Sequence, residues 1–150
     1  MAKIKQFEKA TRKNISSSGV WGLVIKRELL TKHEIFFNET FGPGTDNNHG
    51  EDTIFIQELI AKRIKIFKSP VDIAGINQES SSWFKGFDKN YFFVSGKILA
   101  VIFPFLCYLV SIRSAFKFSR RENCKLPFKE ILKKYYEGIK AYKKETKGNK

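Results

Sequence analysis

The chain has 150 residues and a formal net charge of +13 at pH 7, and 42% of its residues are hydrophobic, including 15 Phe. This composition excludes a disordered chain and predicts one domain, or part of a larger one, with a buried core. Cys107 and Cys124 form neither a disulfide framework nor a C-x-x-C pair, so we expect free thiols in a reducing compartment. The first residues contain no apolar h-region, and no secretory signal is expected.

The positive charge is concentrated towards the C-terminal end. From Arg113 to Lys150 there are 13 basic and 4 acidic residues, whereas the first 112 residues carry 15 basic and 11 acidic residues. This distribution argues against a nucleic-acid groove across the whole fold, and we expect no nucleic-acid partner. It favours a basic tail that meets an anionic surface.

The N-terminal half predicts a mixture of helices and strands. In chain order we expect a basic, partly helical lead-in, a β-rich run, a short helix and a long turn-rich loop, at residues 1–14, Val20–Ile25, Arg27–His33 and 36–50. Asp52–Arg63 is predicted to be a helix because apolar residues recur there at helical spacing. Two strands and a polar loop follow, at residues 63–70, 71–78 and 78–90.

The C-terminal part predicts apolar and basic helices. Residues Ile98–Ile112 carry no charge, but a helix of that length is roughly 22 Å long against a hydrocarbon core of ~30 Å, and Pro104 interrupts it. We therefore expect an interfacial or re-entrant helix pair. The segment Leu126–Lys144 is predicted to be a basic amphipathic helix suited to a membrane surface. Its apolar stripe comprises Phe128, Ile131, Leu132, Tyr135, Tyr136, Ile139 and Tyr142.

Two adjacent carboxylates, Glu51 and Asp52, stand where the long loop meets the predicted helix. Helix capping explains one of them, since Asp is a favoured N-cap and negative charge suits a helix N-terminus. The alternative is catalytic: one carboxylate projects into a cleft and takes a proton from a hydroxyl. Capping does not explain why a long glycine-containing loop precedes the pair.

Four further side chains are candidate substrate contacts. His49 precedes Asp52 by three residues and is either half of a metal site, a neighbour of a substrate phosphate or a bystander. Trp83 is either a core residue or a stacking platform for a sugar ring, and Gln78 is a candidate hydrogen-bonding partner in the same loop. Trp21 is either core or a further contact. The sequence offers no second cluster for a closed metal site, and we assign no metal ligands.

Three stretches in order carry a family resemblance: GVWGLVIKREL (residues 19–29), FGPGTDNNHGEDTIFIQEL (41–59) and RIKIFKSPVDIAGINQESSSWFKGF (63–87). Over residues from about 14 to 145 the chain resembles the C-terminal half of bacterial family 2 glycosyltransferases of the GT-A fold. The resemblance implies an α/β fold, a partial GT-A-like mixed sheet with helices. Residues 1–89 would be the acceptor-side part of that domain, and residues 90–150 a helical membrane-associating extension.

The resemblance also implies roles for individual residues. Asp52 would act as the general base that deprotonates the acceptor hydroxyl, and Glu51 would orient the acceptor or support the loop. Trp83 and Gln78 lie roughly where processive relatives carry a Gln-x-x-Arg-Trp motif. Here the spacing is longer and the Arg is absent, which favours transfer of a single sugar.

The chain departs from the family in one large respect. No Asp-x-Asp motif occurs in the sequence, although the family uses that motif to hold a divalent metal, Mg or Mn, on the nucleotide-sugar donor. We therefore expect the ligands for that metal outside this chain, and a separate donor-binding half as a partner. The expected acceptor is a glycan or a lipid-linked molecule, and the expected location is the inner face of the cell membrane. The alternative function is a non-enzymatic basic membrane-surface module.

Overall fold

The structure, a computed structural model, describes residues 6–11, 15, 22–71 and 86–148. This part of the chain is mainly helical, with a small two-stranded sheet. Its elements in chain order are β1 (Glu8–Lys9), α1 (Arg27–His33), α2 (Glu51–Ala61), β2 (Phe67–Lys68), α3 (Lys89–Ile102), α4 (Cys107–Phe118) and α5 (Phe128–Gly148). They divide between two compact units: the described parts of Met1–Glu39 with Glu51–Ser81, and of Thr40–Gly50 with Ser82–Lys150.

The sheet of the first unit joins the two ends of that unit's sequence. Strand β1 pairs antiparallel with β2, with Glu8 opposite Lys68, and next to this pair the Ala10 amide donates to the Ile66 carbonyl at 2.8 Å. The strand predicted at residues 63–70 is confirmed only over Phe67–Lys68, and the partly helical lead-in predicted at residues 1–14 is a strand at Glu8–Lys9. The backbone of this segment is paired with a distant stretch of chain, a partner that local sequence patterns do not reveal.

The β-rich run before α1 is used for packing. Leu23 and Ile25 pack against the core of the first unit while Val24 between them is 87% exposed. Residues 23–26 nevertheless form no strand, so the strand expected here is wrong over the described part of the run. Among the described residues of this run, the alternating apolar side chains therefore pack against the core without strand-pairing hydrogen bonds.

Helix α2 supplies half of the first unit's buried core, and α1 contributes no buried residue but packs its partly buried Leu30 against that core. Helix α1 has the predicted bounds, and α2 begins one residue earlier and ends two residues earlier than predicted, before Arg63 takes a positive φ of 59°. The Lys62 ammonium donates to the carbonyls of His33 and Glu34, at the C-terminal end of α1 where positive charge is favoured. The buried core residues are Ala10, Ile15, Ile35, Phe55, Ile56 and Leu59.

The second unit is built from α3, α4 and α5. Asp88 caps α3, since its carboxylate accepts from the Tyr91 amide at 2.7 Å. The predicted interruption at Pro104 is confirmed, because α3 ends before it and α4 begins after it. Helices α3 and α5 approach closely at two glycines: a Cβ on Gly96 would meet the Tyr135 carbonyl oxygen, and one on Gly138 would meet the Phe93 carbonyl oxygen.

The apolar stripe of α5 forms the core of the second unit. Ile131, Tyr135 and Ile139 are 0–2% exposed and pack among residues of α3 and α4. The helix is confirmed, but its stripe is not a lipid-facing surface, which corrects that part of the sequence interpretation. Both cysteines are buried free thiols, as expected. None of the helices in the described ranges is long and apolar enough to cross a membrane.

Candidate functional site

The loop before α2 is held by hydrogen bonds of its own. The Gly42 amide donates to the Asn47 carbonyl at 2.8 Å, and the Asn47 side chain donates to the Thr40 carbonyl at 2.8 Å. The Thr45 hydroxyl donates to the Gly42 carbonyl at 2.9 Å and accepts from the Asn47 amide at 3.1 Å. The segment predicted to be a loop is therefore confirmed as one, with a closed turn at its centre.

Gly50 ends this loop, and its position requires a glycine for two reasons. Its φ of 105° lies in a region that L side chains rarely adopt. A Cβ at this position would also overlap the side chain of Ile98. Since Glu51 follows directly as the first residue of α2, Gly50 determines where the helix starts and which residues form its first turn.

The first turn of α2 holds both candidate carboxylates, which confirms their predicted place at the start of a helix. Glu51 and Asp52 are half-buried, and both interact with other groups of the chain. The Oδ1 atom of Asp52 is withdrawn from solvent. Behind this turn the helix is anchored by Phe55, whose ring stacks on Phe37 with centroids 4.2 Å apart.

A second cluster surrounds His49, in the other unit. The imidazole stacks on the Tyr91 ring, with centroids 4.6 Å apart and planes inclined by 3°. Its Nε2 lies 3.1 Å from the Ser95 hydroxyl, and its Nδ1 lies 3.1 Å from the Asn48 side-chain oxygen. A neutral ring satisfies both contacts when Nδ1–H donates to Asn48 and Nε2 accepts from Ser95.

The surroundings of His49 favour the neutral ring. Burial lowers the pKa of His49 to about 4, and the nearby Asp88 carboxylate opposes this only in part. Burial also raises the pKa of Tyr91, with an opposing contribution from its hydrogen bond to Ser95. The cluster is therefore uncharged at neutral pH, and His49 presents no positive charge for a phosphate there.

Of the four candidate substrate contacts, only His49 lies among the described residues. Trp21, Gln78 and Trp83 lie outside the described residues. His49 and Asp52 fall in different units, because the division lies between Gly50 and Glu51. Within the described ranges no three His, Cys, Asp or Glu side chains group together as metal ligands.

Two of the partners of His49, Tyr91 and Ser95, were not predicted from the sequence. Tyr91 and Ser95 stand four residues apart on α3, a spacing that places both side chains on one face of a helix. That spacing was available from the sequence, but nothing in it connects this face to a histidine more than forty residues earlier.

Comparison of the chain with models of known protein families, with curated proteins and with solved structures gives no match.

Proposed function

We propose that this chain is the acceptor-side part of an inverting, family 2-like glycosyltransferase with a partial GT-A-like fold. The observation that carries the proposal is the Gly50–Glu51–Asp52 sequence at the start of α2. A glycine with positive φ ends a closed loop there, and two half-buried carboxylates occupy the first helical turn. The family resemblance supplies the reaction, and this geometry is compatible with it.

In the proposed reaction Asp52 is the general base. Its carboxylate takes the proton of an acceptor hydroxyl while the hydroxyl oxygen attacks the anomeric carbon of a nucleotide sugar. The bond from that carbon to the nucleoside diphosphate breaks with inversion, and the diphosphate leaves with the electron pair. The N-terminal end of a helix favours the negative charge that a base needs before it acts.

The donor is a nucleotide sugar held by a separate half of the enzyme, and the acceptor is a glycan or a lipid-linked molecule of surface polysaccharide synthesis. Glu51 orients the acceptor or supports the loop, and Trp83 with Gln78 contacts the sugar. A divalent metal would neutralise the leaving diphosphate in the complete enzyme. Because the resemblance places the ligands of that ion outside this chain, no step on this chain is assigned through it.

The first test concerns the donor. The isolated chain is titrated calorimetrically with UDP-glucose and with GDP-mannose, in the presence and absence of Mn²⁺. We expect no tight binding, because the proposed donor site lies outside these 150 residues. Tight, metal-dependent binding would show that the chain carries a donor site itself and would overturn its assignment as an acceptor-side half.

The second test concerns the base. A donor-binding half is supplied in trans, and sugar transfer to a membrane lipid extract is compared for the wild type, Asp52→Asn and Asp46→Asn. Loss of a general base costs about 10²- to 10⁴-fold, so Asp52→Asn should abolish measurable transfer while the protein still unfolds cooperatively. Asp46→Asn is the matched control, since it removes an exposed carboxylate from the preceding loop. Transfer retained by Asp52→Asn would remove Asp52 from this role.

The second candidate function, a non-enzymatic membrane-surface module, predicts a different result. In that case Glu51 and Asp52 only stabilise the N-terminus of α2, at about 1 kcal/mol or less each. Asp52→Asn would then lower stability slightly, and no combination with a donor half would produce transfer.

A further inference from the structure

Helix α4 exposes its large apolar side chains and buries its small ones. Its buried residues are Cys107, Ser111 and Ala115, which recur every fourth position on the face that packs within the second unit. On other sides, and in the turn before the helix, large apolar side chains meet solvent. They are Phe105 (94% exposed), Leu106 (57%), Leu109 (65%), Ile112 (41%) and Phe116 (51%), here called the outer face.

The outer face is one continuous surface. Positions 105, 109, 112 and 116 recur at intervals of four, three and four residues, which aligns them along one side of α4 and the turn before it. A shallow groove on the same surface is lined by Leu109, Val110, Ile112, Arg113, Phe116 and Phe128. Contiguous exposed apolar surface of this kind marks an interaction site, whereas scattered single residues do not.

Positive charge accompanies this face. Arg113, Lys117 and Arg120 are exposed on or beside α4, and the Arg120 guanidinium lies 3.9 Å from the centroid of the Phe116 ring. No acidic residue occurs anywhere from Lys89 to Arg121. A protein partner of matching shape would need to supply every negative charge, whereas an anionic lipid surface supplies both an apolar layer and negative headgroups.

The length of α4 determines whether it could cross a lipid bilayer or would lie along its surface. Its 12 residues extend about 18 Å, well short of the ~30 Å hydrocarbon core. A helix with one apolar side and flanking arginine and lysine lies in the plane of the interface, with its apolar side chains at the boundary between headgroups and acyl chains.

We propose that the outer face of α4, with Phe105 and Leu106 at its leading end, is the surface by which this protein binds an anionic lipid leaflet. The stripe of α5, which the sequence pattern favoured for this role, is occupied by packing within the unit. The proposal holds for either candidate function, so its failure and the failure of glycosyl transfer are separate results.

The test is flotation of the full chain with lipid vesicles. One set is pure phosphatidylcholine, and the other contains about one third phosphatidylglycerol. We expect binding to the anionic vesicles, falling as salt is raised, and much weaker binding to the neutral ones. The double variant Phe105→Ser/Phe116→Ser should bind at least about tenfold more weakly, since both side chains leave the acyl boundary.

Charge variants distinguish binding through the outer face from binding through the positive charge of the chain as a whole. The double variant Arg113→Gln/Lys117→Gln should weaken binding to anionic vesicles by roughly fivefold or more per residue. Its binding to neutral vesicles should equal that of the wild type. Matched controls are Phe36→Ser and Lys26→Gln/Lys65→Gln, which remove exposed apolar and basic side chains from the first unit. These controls should retain most of the binding, and thermal unfolding verifies that every variant folds.

Three outcomes would overturn the proposal. The wild type stays with the soluble fraction in the presence of anionic vesicles, or the Phe105→Ser/Phe116→Ser variant binds them as tightly as the wild type. Alternatively, light scattering shows a dimer that this variant dissociates while vesicle binding is absent, which would make the outer face an interface between two copies.

Discussion

The ring of His49 lies flat against the ring of Tyr91, with 4.6 Å between centroids, and so joins the loop before α2 to helix α3. Ser95, one turn further along α3, contacts the same imidazole through its hydroxyl. A histidine in this position contributes to stability as a neutral, stacked and hydrogen-bonded ring. Its protonation therefore works against folding.

The first prediction is a pH dependence of stability that originates at His49. Its pKa is about 4 in the folded chain against an ordinary value of 6.5, so between these values the unfolded chain binds a proton that the folded chain does not. The contribution of His49 to the unfolding free energy, at most about 3 kcal/mol, is fully present above about pH 6.5 and is lost as the pH falls towards about 4.

Urea unfolding of the wild type and His49→Gln across this pH range measures the effect. The difference in unfolding free energy between the two proteins should be largest at neutral pH and should shrink as the pH falls. Carboxylates that titrate in the same range contribute equally to both proteins, so their effect cancels in the difference. Parallel curves for the two proteins would contradict the prediction.

The second prediction concerns the close approach of α3 and α5. A methyl group at Gly96 or Gly138 meets a backbone carbonyl of the facing helix, and a backbone cannot move aside as a side-chain tip can. Gly96→Ala and Gly138→Ala should each lower the unfolding free energy by about 1–3 kcal/mol, even though Ala is the better helix former.

The matched control for these variants is Gly148→Ala, at the end of α5. A Cβ there has no atom within 4 Å, so the substitution should be neutral or stabilising by up to about 1 kcal/mol. Thermal and denaturant unfolding compare the three variants with the wild type. If Gly138→Ala were as stable as Gly148→Ala, the two helices would not approach as closely as described.

The third prediction concerns Lys97, a buried ammonium on α3. It lies 2.9 Å from the Glu145 carboxylate of α5, and its side chain is 10% exposed against 55% for Glu145. Glu145→Ala leaves that ammonium buried without its carboxylate partner, at a cost of about 1–2 kcal/mol after allowance for the exposed partner. Lys97→Met, which removes the charge and keeps the volume, should be nearly neutral.

A half-buried pair within α5, without a buried ammonium, provides the control. Lys134 and Glu137 are 27% and 38% exposed in their side chains and 2.6 Å apart, and Glu137→Ala should cost no more than about 0.5 kcal/mol. Chemical unfolding at low and moderate salt measures all three variants. A larger loss for Lys97→Met than for Glu145→Ala would show that the buried charge itself is stabilising.

Patterns local in sequence predicted much of this fold. The helical spacing of apolar residues indicated α2 and α5, and a short helix was expected where α1 lies. They failed at Glu8–Lys9, where strand pairing depends on a distant segment. For the candidate site, the place of Glu51 and Asp52 at the start of a helix was predicted from the apolar spacing that follows them and from the preference of Asp for a helix N-terminus. The surroundings of His49 were not, because Tyr91 and Ser95 reach it only through folding.

By itself the sequence determined where the chain turns and where its main helices lie, since proline, glycine and side-chain periodicity act over a few residues. Only the tertiary structure decided what each apolar surface meets. The stripe of α5 is covered because Gly96 and Gly138 allow α3 to approach it closely. The large side chains of α4 stay outside because its small residues, Cys107, Ser111 and Ala115, form its packed face. A periodic pattern identifies an apolar face, but contact between distant segments determines whether that face is core or surface.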